Sequence, residues 1–169
     1  MFIKADIEKY FQGEKAESIV FMGIGSASFV AALIFFFVVA TAFYKGAAVP
    51  MLLIGLLMLV VGFTVFKRSD ADRIRNVYAY DMNPLQLKEL EIPRMEVVMK
   101  NFVMYRYIEI GLALAGLILF FYFKNNADKA FWTGVGFGLL IMSVLALGAD
   151  YFAEKRGVVY LKGLKEFVK

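Results

Sequence analysis

The chain has 169 residues and a net charge of +4, and 61% of its residues are apolar, against roughly 45–50% in soluble domains. A soluble fold of this size cannot hide so much apolar surface. With no Cys and no His, thiol chemistry, disulfides and the usual zinc sites are excluded, and the commonest general base is missing.

In the N-terminal segment, residues 1–18, Phe2, Ile3, Ile7, Tyr10 and Phe11 fall near helical spacing with charges between them. This pattern predicts a short interfacial helix that Gly13 ends. The long apolar run starts only at Ile19, too late and too long for a cleavable signal peptide.

Four apolar runs follow, at 19–44, 47–66, 107–123 and 131–149. A helix needs about 20 residues to cross roughly 30 Å of hydrocarbon. The expected fold is therefore an all-α membrane protein with four transmembrane helices in two hairpins, 19–66 and 107–149. The runs are continuous rather than alternating, which favours helices over a barrel. Arg106 and Lys124 can snorkel from the ends of the short third run.

Orientation follows from the basic residues. The N-terminal segment, the connector 67–106 and the tail 150–169 share one side and carry 16 Lys and Arg. The two outer loops carry 3, namely Lys45, Lys124 and Lys129. That bias places both termini in the cytoplasm. Tyr10, Tyr105, Tyr107 and Tyr151 then lie at the inner interface, and Tyr44, Tyr122 and Trp132 at the outer, as amphipathic rings should.

The connector carries its own punctuation. Ser69 with Asp72 resembles a capping box, Ile74, Val77 and Tyr78 form an apolar face, and Asn83-Pro84 and then Pro93 each read as a fresh helix start. From Pro93, the residues Met95, Val98, Met99 and Phe102 run at helical spacing into the third span. Glu89, Glu91 and Glu96 read as solvated charges. Arg94 at a helix start is placed where it could hold a phosphate. The tail is interrupted at Gly157, and Leu161, Leu164, Lys165 and Val168 then suggest a second basic amphipathic helix. That helix would either bind anionic lipid at the cytoplasmic face or pack on the connector.

The two halves look alike in outline, with Glu17 and Glu109, Lys45 and Lys124, and Gly55 and Gly138 in matching places. The spacings are 92, 79 and 83 residues, and such variation favours convergence on generic hairpin rules over duplication.

Two constellations are candidates for function. Gly23, Ala27 and Ala31, Gly111 with Ala115, and Gly134 with Gly138 make small-residue faces suited to close helix packing, chiefly inside the bundle. Arg106 and Glu109, three residues apart, read as a local ion pair at the cytoplasmic mouth, and Asp150, Glu154 and Arg156 have the same character. Polar groups near the midplane are sparse, and no carboxylate lies at depth, which argues against a proton pump. No Walker loop, GxSxG elbow or HExxH sequence is present, so neither an enzyme nor a cofactor is expected. Basic residues beside a leaflet need no nucleic acid to explain them.

The sequence leads to a non-enzymatic inner-membrane protein, of prokaryotic type. It would assemble with itself or a membrane partner through its helices and cytoplasmic face. A small oligomeric transporter or channel is the alternative.

Overall fold

The computed structural model describes residues 2–169. Four long helices account for nearly all of them: α1 (Lys4–Val39), α2 (Ala42–Met82), α3 (Pro84–Phe123) and α4 (Ala127–Phe167). No strand occurs among the described residues. Each helix has 36 to 41 residues. At about 1.5 Å per residue they are close to twice as long as the roughly 30 Å of hydrocarbon is thick. Each is therefore apolar along one part and polar along the other. The apolar parts are long enough to cross a membrane.

Several residues that resemble helix stops lie inside these helices. Gly13 does not end α1, and Ser69 and Asp72 do not start a helix but sit within α2. The Ser69 hydroxyl instead donates to the Val65 carbonyl one turn back. Gly157 lies within α4. The reason is tertiary. Gly13 makes room for the Arg156 side chain, whose Cδ lies 2.8 Å from where a Cβ would be, and Gly157 makes room for Met99. Pro93 does lie in the first turn of a regular α-helical stretch, Ile92–Phe123, but without a break in the chain's helical path. The wide π-helical turn Leu87–Glu91 precedes it and takes up a ring that would otherwise clash with the carbonyl four residues back. Only Asn83-Pro84 is a true junction, between α2 and α3.

The first turn also falls earlier than the apolar run suggests. α1 ends in a π-helical segment, Ile34–Val39, and the chain reverses at Ala40, which is left-handed at φ 54°. Tyr44, Lys45 and Ala47 therefore belong to α2 and not to a loop. They are needed there because α2 meets α4 at this level. A Cβ on Gly46 would collide with the Phe131 carbonyl, and one on Gly134 with the Phe43 carbonyl.

That reciprocity extends along the whole molecule. α1 and α3 end 84 residues apart, at Val39 and Phe123, and the regular parts of α2 and α4 begin 88 apart, at Ala42 and Ala130. The difference lies in the longer second turn, with its short 3-10 segment Ala127–Lys129. Eight of the eleven buried positions in α2 have a buried counterpart 88 residues on in α4, among them Gly46 and Gly134, Pro50 and Gly138, Gly55 and Ser143, and Ser69 and Gly157. Ala42-Phe43 and Lys67-Arg68 recur as Ala130-Phe131 and Lys155-Arg156 at the same spacing. Irregular lags had favoured convergence; the helix ends and buried positions instead hold offsets of 84 and 88 residues, with reciprocal contacts at the Gly46–Gly134 crossing.

Candidate functional site

The polar parts of all four helices meet at one end and enclose a core of their own. Phe2, Ile7, Tyr10, Phe11, Ala79, Leu87, Met95, Tyr160 and Leu164 are buried there. The Tyr10 and Tyr160 rings stack at 4.0 Å and 6°. The Tyr10 hydroxyl lies 3.3 Å from the Met95 sulfur, and the Tyr160 hydroxyl donates to Glu91 Oε1 at 3.2 Å. Burial, reinforced by the nearby carboxylates, pushes both phenols above their usual range.

Glu91 corrects the reading of the connector carboxylates as solvated. It is 2% exposed and holds Arg94 through two hydrogen bonds of 2.6 and 2.8 Å. Burial alone would lower the Arg94 pKa; the pairing with Glu91 overcomes this and raises it. Arg94 also lies over the Phe11 ring at 5.7 Å. It is therefore engaged within the core rather than presented to a phosphate. The signal was in the sequence. Extending the Met95 face backwards in steps of four reaches Glu91 and Leu87, both buried.

A layer of ion pairs separates this core from the apolar parts. Arg68 pairs with Glu14 at 3.2 Å, and the Ser69 hydroxyl oxygen lies 3.1 Å from the same carboxylate. Lys15 pairs with Asp70 at 2.5 Å. Arg156 donates to Glu17 at 2.7 Å and lies over the Tyr10 ring at 5.6 Å. Arg68 and Arg156 are repeat counterparts, and both find their acid on α1.

Arg106 pairs with Glu154 across α3 and α4, not with Glu109 on its own helix. Glu109 faces a cavity of about 110 Å³ that Asp150, Glu154 and Arg106 also line. Its Oε2 is shut from solvent without a hydrogen-bond partner among the described residues. No three acidic residues converge there or elsewhere among the described residues in a way that would hold a metal ion.

The small-residue faces divide. Gly134 and Gly138 lie against α2. Gly23 and Gly111 face open space, and Ala27 and Ala115 are exposed. Close packing inside the chain falls instead on Gly25 against Gly55 and Gly116 against Gly136. The reason is register: Gly25 and Gly116 point at the neighbouring helix, and the Gly23 and Gly111 faces point away from it. Ala27 and Ala31 are 84 residues from Gly111 and Ala115, so the outward faces are themselves repeat counterparts. Comparisons with protein-family models, with curated proteins and with solved structures find no match to the chain.

Proposed function

We propose that the chain is a non-enzymatic membrane protein that assembles laterally, with itself or a membrane partner, through the outward faces of α1 and α3. The carrying observation is the exposure of α3. Only 6% of its apolar stretch is buried, against 33% for α4. Two further features support the reading. The open faces carry Gly and Ala, which let backbones approach closely in lipid, where packing drives association. The α2–α4 crossing is sealed by backbone contacts and leaves no path for solute there.

In this reading the two repeats are transmembrane hairpins. The packed polar end faces the cytoplasm, as the 16 to 3 bias of basic residues favours. The membrane is a prokaryotic inner membrane, and anionic lipids contact the ion-pair layer at its surface. The chain lacks cysteine, so single cysteines report contacts cleanly. Ala115→Cys is expected to form disulfide-linked pairs in native membranes, and mild detergent should preserve an oligomer or a co-purifying partner. A monodisperse monomer with no crosslink at Ala27 or Ala115 contradicts the proposal.

A second reading rests on the Glu109 cavity, as the inner mouth of a small oligomeric transporter. Flux in proteoliposomes that changes with Glu109→Gln would support it. Absence of flux across a broad ion and metabolite panel removes it.

A further inference from the structure

The two repeats close their outer polar surfaces differently. In the first, Lys15 of α1 and Asp70 of α2 meet in an ion pair. Their counterparts, 84 and 88 residues on, are Met99 of α3 and Val158 of α4. There the surface opens into a groove of about 420 Å³ with an apolar floor of Met99, Val158 and Leu161. Lys162 and Lys165 of α4 and Lys169 just beyond its end rim it, with Glu166 as the single acid among the lining residues. Val158 is 51% exposed, although it lies outside the apolar stretch of its helix.

In the proposed membrane orientation, helix length argues against lipid as the occupant. α4 continues from the apolar run that ends at Ala149 without a break at Gly157. At about 1.5 Å per residue, Val158 stands roughly 13 Å and Lys165 roughly 24 Å beyond that end. The headgroup layer is only about 5–7 Å deep per leaflet. The tail is a post that projects from the surface, not a helix lying on it.

We propose that this groove docks an acidic amphipathic helix of a soluble partner. The apolar stripe of that helix would lie on Met99, Val158 and Leu161, and its carboxylates would meet Lys162 and Lys169. Lys165 already pairs with Glu96 at 2.5 Å, which leaves Lys162 and Lys169 for the partner's carboxylates. A floor containing methionine accommodates varied side chains, as helix-binding grooves do. The proposal rests on the polar end being a contact surface, and deepens that reading by naming the partner's chemistry.

The test uses the full chain in nanodiscs of neutral phosphatidylcholine. The probe is a fluorescent 15-residue helical peptide, with leucine at positions i, i+3, i+4 and i+7 and glutamate at most others. Saturable binding is expected. It should weaken about tenfold with Lys162→Glu/Lys169→Glu, a change of about 1.4 kcal/mol. Val158→Asp should weaken it similarly, with size-exclusion profiles unchanged. A scrambled peptide of equal charge should bind at least tenfold worse. Equal binding of the scrambled peptide, or no change in the variants, overturns the proposal. So does binding of anionic-lipid vesicles to the detergent-solubilised chain that Lys162→Glu/Lys169→Glu abolishes, because lipid would then be the occupant. Peptide failure alongside a crosslink at Ala115 would reject the groove but leave lateral assembly standing.

Discussion

Gly46 and Gly134 are each pressed against the backbone of the other's helix, Gly46 on the Phe131 carbonyl and Gly134 on the Phe43 carbonyl. No side chain larger than hydrogen fits at either position unless the helices move apart. Gly46→Ala and Gly134→Ala should therefore destabilise the chain by similar amounts, about 1–3 kcal/mol each, as overpacking does. Gly23→Ala and Gly111→Ala meet open space within the chain, so the isolated monomer should be neutral or slightly stabilised, since alanine is the better helix former, while the proposed lateral assembly should weaken. Thermal unfolding in detergent micelles, followed by fluorescence-detected size exclusion, compares the four. Unequal losses at Gly46 and Gly134 would break the equivalence of the two positions.

Glu91 and Arg94 stand or fall together. Removing Glu91 leaves a guanidinium and the Tyr160 hydroxyl without an acceptor in a buried place. Glu91→Ala should cost about 3 kcal/mol, toward the lower end for a broken buried pair because the Arg94 side chain keeps 21% of its surface exposed. Glu91→Leu/Arg94→Met removes both charges and should recover most of the loss. The double-mutant cycle in denaturant measures the coupling; additive losses would show that the pair is not a unit.

Tyr10 and Tyr160 make the polar end sensitive to alkali. Burial raises both phenols above their ordinary value of 10.0, so above that pH the unfolded chain loses protons that the folded chain keeps. Stability from these groups is fully present below about pH 10 and falls above it, by about 1.4 kcal/mol per pH unit for each proton. Tyr160→Phe should lower stability at pH 8, through the lost hydrogen bond to Glu91, and make the fall between pH 10 and 11 shallower. Urea titrations at pH 8, 10 and 11 distinguish the two effects. An unchanged alkaline slope in Tyr10→Phe/Tyr160→Phe would rule out the phenols as its source.

The long apolar helices were legible because lipid leaves one solution for runs of that length. Their ends were not. Gly13, Ser69, Pro93 and Gly157 carry local signals that mean a stop in an isolated segment. In the folded chain three of them serve a neighbour: Gly13 admits Arg156, Ser69 sits against the Glu14 carboxylate, and Gly157 admits Met99. Pro93 is absorbed by a π-helical turn that local propensity does not foresee. Among the candidate residues, composition marked Gly134 and Gly23 alike, and only the direction each faces separates a packing glycine from an exposed one. The pairing of Arg106 was misplaced for the same reason. An acid three residues away is visible in sequence, and one on another helix, Glu154, is not. The repeat was hidden because the visible landmarks are not counterparts: at the 88-residue offset Gly55 matches Ser143, and Gly138 matches Pro50.

Membrane-impermeant maleimide labelling of single cysteines tests most directly that these helices cross a bilayer with their polar ends together. Glu89→Cys, Lys169→Cys and Asn125→Cys place a thiol at the polar end twice and in the second turn once. In sealed inner-membrane vesicles and in intact cells, Glu89→Cys and Lys169→Cys should be labelled from the same side and Asn125→Cys from the other. Labelling of all three from one side, or a folded and monodisperse chain purified without detergent, contradicts the account.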